Sequence, residues 1–345
     1  MKKGLWVVRN ILEGPESIRE MADIAIKNNF EELFVQVRGR GETFYKSTID
    51  PLDPAVKGKD FDPLAYLLDL LAGEPIKIHA WINTLFTWSG DQEPWSDRHV
   101  IRRHPEWVMH NYHGVSLNDY TQQQLTESGI YEGQYLCPAN RGVREYLLAI
   151  YSEVVRQYKV NGIHFDFVRY PNPEVCYCPG CRIQAKKDLG FDPLKVDQFS
   201  PEQQSAWNKW RQQRVTALVR GVYQAVKGID RNMVVSAAVY PDFDDASTWR
   251  LQDWPEWDRE EIIDLLVPMA YTDDQQKLIA WLESYRQKEW KSQLLIGLGA
   301  YKIDSNQLIE QIKICRNQGY DGYVIFDYST LLRDKKYFSK INEIE

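Results

Sequence analysis

Two groups of residues in this chain have the types and spacing that chemistry needs. The first is Gly162-Ile163-His164-Phe165-Asp166-Phe167-Val168-Arg169-Tyr170-Pro171, where a carboxylate and a guanidinium stand three residues apart among apolar neighbours. An ionised carboxylate in such surroundings must be hydrogen-bonded, paired or chemically employed. Asp166 and Arg169 are thus either a structural ion pair or part of a site in which the cation keeps the carboxylate charged. The second group is Cys176-Tyr177-Cys178-Pro179-Gly180-Cys181, with Cys137 upstream in Leu136-Cys137-Pro138. Four thiolates in tetrahedral arrangement make a closed structural zinc site, and C-x-C is too tight for an easy internal disulfide. The plainer readings are reduced loop thiols or one disulfide. Structural zinc at Cys137, Cys176, Cys178 and Cys181 is the cofactor expected; no organic cofactor is. Cys315 falls in an amphipathic helix and reads as core.

The elements that must position these residues repeat: a short apolar strand, then an amphipathic helix. The pattern predicts strands over Leu5–Arg9, Leu33–Arg38, Ile76–Asn83, Gly162–Phe167, Met233–Tyr240, Leu265–Tyr271, Leu294–Tyr301 and Gly322–Tyr328. Helices are predicted over Ser17–Asn28, Pro63–Leu71, Gly142–Tyr158 and Ser305–Asn317, and in a long helical region ending near Lys227. Eight such units make a single (β/α)₈ barrel over residues 1–345 the economical α/β fold, with a long insertion after the third strand. An open doubly wound sheet fits less well, because no GxGxxG follows the first strand. Gly39-Arg40-Gly41 resembles a phosphate loop only superficially and reads as a tight turn at a rim.

In a closed barrel the strand C-termini converge on one rim. Gln36, Arg38, Asn83, Asp166, Arg169, Asp242, Asp273 and Asp327 all lie at or just beyond such ends. Aromatic residues are abundant, with 12 Trp and 20 Tyr, and several fall in predicted loops: Trp88, Trp95 and Trp107 in one, Trp249, Trp254 and Trp257 in another. Flat aromatic faces stack on sugar rings, so at least one of Trp81, Trp88 and Trp249 is expected to face the site. The net charge of −7 argues against nucleic acid or an anionic membrane as partner, and no apolar run reaches membrane-helix length. Leu5 to Arg9 reads as a strand rather than a signal peptide, which implies the cytoplasm for the chain as written. Removal of a leader would instead place it in the periplasm or outside the cell.

Four ordered motifs carry a specific resemblance: Phe34–Tyr45, reading Phe-Val-Gln-Val-Arg-Gly-Arg-Gly-Glu-Thr-Phe-Tyr; His79-Ala80-Trp81-Ile82-Asn83; His104-Pro105-Glu106-Trp107; and Gly162–Pro171. Together they resemble the glycosyl hydrolase-like 10 family (DUF187) over most of the chain. The resemblance implies a (β/α)₈ barrel and glycosidase action on bacterial cell-wall or related glycans, with the presumed catalytic carboxylate at Asp166. Here Asn83-Thr84 stands where the family's loop reads closer to Asn-Pro. The cysteine arrangement lies outside that family's core motif and resembles the zinc site of family 42 β-galactosidases.

Most glycosidases use two carboxyl groups, one donating a proton and the other attacking or activating water. Asp166 is assigned as nucleophile or base and Asp273 as its partner, with Asp242 and Asp327 as rivals. Gln36, Arg38, Asn83, Tyr271 and Arg169 suit hydroxyl recognition. His164 shares the inward face of Asp166 and is read either as a wall residue or as a substrate contact. An oligosaccharide or polysaccharide is the expected partner; the oligomeric state stays open. A non-catalytic carbohydrate-binding barrel is the alternative. A metal-dependent deacetylase is less favoured, since four thiolates would fill the position a catalytic zinc keeps open.

Overall fold

The computed structural model describes residues 1–90, 92–127, 132–195, 200–334 and 336–343. Its strands are β1 (Lys2–Val7), β2 (Glu32–Arg38), β3 (Lys77–Asn83), the short β4 (Phe86–Trp88) and β5 (Gln134–Tyr135), then β6 (Gly162–Asp166), β7 (Val234–Val239), β8 (Leu265–Pro268), β9 (Gln293–Gly299) and β10 (Gly322–Phe326). Eight of them close a parallel barrel in the order β1-β10-β9-β8-β7-β6-β3-β2. Helices intervene, among them Pro15–Lys27, Pro63–Leu70, Arg141–Gln157, Pro201–Ile229, Gln275–Arg286 and Ser305–Asn317. Every predicted strand is present within a few residues of its expected bounds. Parallel strands are covered on both faces, so each reads in sequence as a nearly continuous apolar run. The long insertion is also present: β4 and β5 form an antiparallel pair beside the rim.

Alternation along the strands divides the interior in two. Leu5, Val7, Leu33, Val35, Ile78, Ala80, Ile163 and Phe165 point outward and pack under the helices. Trp6, Phe34, Trp81, Ala238, Leu265, Val267, Leu295 and Val324 point inward and fill the barrel. Bulk on one strand is matched by its absence on another. A Cβ on Gly297 would come within 2.8 Å of the Trp6 ring, and one on Gly162 within 2.4 Å of His79 Nδ1. Register then stacks the inward residues in layers, with His79 beside Gly162, Trp81 beside His164, and Asn83 beside Asp166 at the top. Asp166 thus owes its place to being the last inward position of β6.

Candidate active site

The rim opens into a cleft of about 390 Å³ lined by the inward top layer: Gln36, Asn83, Asp166, Met269 and Phe326, with Trp6, Trp81, Tyr271 and Tyr301. A second hollow of about 550 Å³ shares Arg169, Met269, Tyr271 and Tyr301 with it and adds Tyr240, Asp242, Asp245, Lys277 and Trp281. The two form one groove across the rim. Its floor is aromatic, with Phe326 meeting Trp6, Trp81, Tyr271 and Tyr301 at ring-centroid separations of 5.9, 6.4, 5.5 and 5.9 Å. Half-exposed Tyr301 lines the groove, with Lys302 Nζ over its ring 5.8 Å from the centroid.

Asp166 is buried at 8% exposure, and its Oδ1 accepts the Phe167 amide hydrogen at 2.6 Å. Burial pushes its carboxyl above the usual aspartate range; Arg169, the Phe167 amide and Trp81 work against this, and the charge of Glu132 adds to it. Arg169 lies between the two carboxylates, with Nη1 3.7 Å from Asp166 Oδ1 and Nη2 3.1 Å from Glu132 Oε1. One guanidinium spans both contacts, so the two carboxylates stand no more than about 9 Å apart, which does not exceed the upper limit for paired glycosidase carboxyls. Arg169 Nε and Nη1 are buried without a hydrogen-bond acceptor, at the junction of the two hollows. Phe167 and Tyr240 cover its faces at 4.3 and 5.1 Å.

Asn83 is held by its neighbours: Gln36 Nε2 and Trp81 Nε1 donate to its Oδ1 at 3.1 and 3.0 Å. Gln36 in turn accepts from Arg9 at 3.3 Å. Gln36, Asn83, Trp81, Asp166, Arg169, Asp242 and Tyr271 are thus brought to the groove. The other candidates lie elsewhere. Arg38 is fully buried below it, donating to Asp50 at 2.7 Å, to Tyr146 at 2.9 Å and to the Asn83 carbonyl at 2.5 Å. His164 sits one layer under Asp166; Trp6 Nε1 donates to its Nε2 at 3.3 Å, so Nδ1 carries the proton and donates to Ser236 Oγ at 2.9 Å. Asp327 Oδ1 accepts from Thr330 N and Oγ1 and caps the helix Tyr328–Arg333. Asp273 is exposed on the turn after β8 and is absent from the groove lining. Asp242 lines the second hollow, with its Oδ1 accepting from the amides of Asp244 and Asp245 at 3.0 and 2.9 Å.

The tryptophans divide too. Trp81 lines the cleft, whereas Trp249 is exposed but outside the groove lining. Trp88 backs onto the rim beneath the Arg40 guanidinium, 4.8 Å away. Trp254 and Trp257 are core residues, donating to the Tyr240 carbonyl and to Thr216 Oγ1. Glu132 is the residue that sequence reasoning missed.

The four cysteines converge as their spacing implies. Cys137, Cys176, Cys178 and Cys181 are all buried, and their sulfurs lie within 4.8 Å of one another. Cys137 Sγ is 3.3 Å from Cys181 Sγ and 3.8 Å from Cys178 Sγ. Tetrahedral zinc–thiolate bonds would hold sulfurs about 3.8 Å apart, so the donor set could close around one soft divalent ion.

The model of a family described as Glycosyl hydrolase-like 10 matches residues 4–313. Glycosyl hydrolase YngK of Bacillus subtilis is 25% identical over 336 residues, covering 88% of this chain and 58% of its own length. Glycosyl hydrolase DigH of Escherichia coli is 24% identical over 316 residues, covering 81% of this chain and 64% of its own. The chain thus spans about three-fifths of the length of these relatives. Among solved structures, the PgaB (BpsB) glycoside hydrolase domain from Bordetella bronchiseptica superposes with a TM-score of 0.75 at 14% identity, covering 99% of this chain and 98% of that domain. A β-galactosidase from Halorubrum lacusprofundi gives 0.69 at 12% identity, covering 99% of this chain and 57% of that one. These superpositions establish the barrel fold. Among the described residues no helix is long and apolar enough to cross a membrane.

Proposed function

Because the chain belongs to the glycosyl hydrolase-like 10 family, we propose that it hydrolyses O-glycosidic bonds of a bacterial polysaccharide or cell-wall-type glycan, as one barrel domain over residues 1–345. The observation that carries this reading is Asp166: a buried carboxyl with a raised proton affinity, in a groove with an aromatic floor, tied through Arg169 to a second carboxylate. A carboxyl whose burial strengthens its hold on a proton is suited to donate that proton to a departing glycosidic oxygen. Asp166 is therefore the proton donor. This revises the nucleophile or base role that its sequence context favoured, because burial outweighs the Arg169 charge. With Oδ1 taken by the Phe167 amide, Oδ2 carries the proton. Glu132, which meets Arg169 from beside the groove rather than from its lining, takes the place of Asp273 as the partner carboxylate, acting on water or on the anomeric carbon; Asp242, which does line the groove, is its rival. Tyr301 and Trp81, both in the groove lining, stack on sugar ring faces.

The cysteine cluster supports a structural zinc ion. Its four thiolates fill the coordination sphere, so the ion supplies cross-linking rather than reaction chemistry. Cys137 follows Glu132 by five residues, and Cys176 follows Arg169 by seven. The ion would thus pin together the two segments that carry the Asp166–Arg169–Glu132 chain.

The test is release of reducing ends from a panel of bacterial polysaccharides and denuded cell-wall glycans. Wild type should cleave at least one of them and Asp166→Asn should not. Tight glycan binding by both proteins with no cleavage by either would establish the carbohydrate-binding alternative instead.

A further inference from the structure

Arg211, within the helix Pro201–Ile229, is fully buried. Its Nη1 donates to the carbonyls of Pro173 and Val175 at 2.5 Å each, and its Nη2 to Asn208 Oδ1 at 2.6 Å. Its guanidinium lies 4.8 Å from the ring centroid of Trp207 and 5.8 Å from those of Tyr170 and Tyr177. All of these partners are neutral, Nε has no acceptor, and no carboxylate pairs with Arg211 among the described residues. A guanidinium does not lose its proton in a protein, and a buried charge without a counter-charge is among the costliest features a fold can carry.

The carbonyl it holds at Val175 belongs to the residue just before Cys176, and Cys181 and Cys176 lie near enough for their charge to bear on it, together with Tyr177 and Tyr170. On the other flank, Arg144 Nη1 donates to the carbonyls of Pro138 and Ala139 at 2.8 and 2.7 Å, directly after Cys137. Four thiolates around a divalent cation leave a double negative charge, which in a buried place needs positive neighbours.

We propose that Arg211 is the counter-charge of a metal–tetrathiolate cluster, so that docking of the long helix on the barrel wall and metal occupancy form one coupled equilibrium. The inference rests on the zinc reading above and adds a residue and a sign to it. In the metal-loaded protein Arg211 is compensated. Loss of the metal removes the tetrathiolate cluster that lies opposite it, leaving only the neutral partners of its own hydrogen bonds.

The experiment compares wild type, Arg211→Met, Arg211→Lys and Arg144→Met as full-length purified proteins. Zinc content is measured by elemental analysis, zinc loss as transfer to a chromophoric chelator, and unfolding temperature before and after chelation. Arg211→Met should speed zinc transfer at least tenfold and lower the unfolding temperature of the loaded protein by about 5 °C or more. After chelation the same substitution should leave the unfolding temperature unchanged or raise it. Arg211→Lys, which keeps the charge, should hold zinc loss within about threefold of wild type, and the partly exposed Arg144 should matter less. An equal drop in both states, or unchanged zinc transfer, overturns the inference while leaving the metal site standing. Wild type without zinc overturns the metal reading itself. Should Arg211→Met not fold, Arg211→Gln under the same comparison decides.

Discussion

Asp166 and Glu132 meet the same guanidinium, at 3.7 and 3.1 Å on its two terminal nitrogens. The arrangement couples them: each carboxylate offsets part of the Arg169 charge, and the charge of Glu132 raises the proton affinity of Asp166. Removing the donor should therefore stop the reaction without loosening the fold. Asp166→Asn should lower kcat about 10³-fold while the unfolding temperature stays within about 2 °C, since Glu132 still pairs with Arg169. Glu132→Gln should cost about 10²-fold in kcat, and Asp242→Asn less than tenfold. A larger loss for Asp242→Asn would make Asp242 the partner.

Proton donation by a group with a raised pKa gives activity that falls as pH rises through that pKa. Glu132 raises the Asp166 value and Arg169 lowers it, so the variants should move this basic limb in opposite directions. With Glu132→Gln the limb should shift to lower pH, and with Arg169→Met to higher pH. Profiles of kcat/KM report the free enzyme and check both signs. A limb that does not move in Glu132→Gln would separate the two carboxylates electrostatically.

Tyr301 is 50% exposed in the groove, where its ring meets Tyr271 and Phe326 near-perpendicularly at 6.0 and 5.9 Å. Tyr301→Ala should raise KM roughly tenfold and change kcat less than threefold, the mark of binding lost equally in ground and transition states. Tyr301→Phe should retain most of the affinity.

Glu42 follows the rim turn at 1% exposure, with Trp95 close enough to its carboxyl to favour the charged form. Burial, then Asp53, pushes its pKa from 4.5 up to about 7, against the opposing charges of Arg40 and Arg9. The folded chain then holds a proton that the unfolded chain has released. Stability should fall as pH rises from about 4.5 to about 7 and be flat in this respect above it. Glu42→Gln should flatten that slope and stabilise the protein at pH 8, on the order of 2 kcal/mol, with little effect at pH 4. Denaturant titrations at the two pH values measure the difference.

If zinc closes the cysteine cluster, chelation should lower the unfolding temperature by roughly 5–10 °C. Cys178→Ser should carry less than a tenth of the wild-type metal by elemental analysis. Full zinc content in that variant would remove Cys178 from the ligand set.

The barrel was legible because each strand is buried on both faces and so reads as an apolar run between amphipathic helices. The same alternation identified Gln36, Asn83 and Asp166 as inward residues near the rim. Depth was not legible. Arg38 and His164 share that strand-end pattern, yet Arg38 turns to Asp50 and His164 lies one layer down, bonded to Trp6 and Ser236. Nor could an acid at a strand end be told from a helix cap. Asp327 serves Thr330, and only the Asp-Tyr-Ser-Thr spacing signals it. Glu132 stands in a polar stretch without periodicity. It reaches Arg169 because β5 pairs with β4 and the Leu136 amide donates to the Leu85 carbonyl, contacts some fifty residues apart in sequence.

All four cysteines of the cluster precede residue 182. When that point has left the ribosome, β1, β2, β3 and β6 exist in full and none of β7 to β10 has been made. Chains emerge N-terminus first and slowly relative to local folding. The strand that bears Asp166, its partner β3 and all four thiols are therefore present before any of the strands that close the barrel. Arg211 arrives about thirty residues later, and the closing strand β10 comes after every other strand of the barrel.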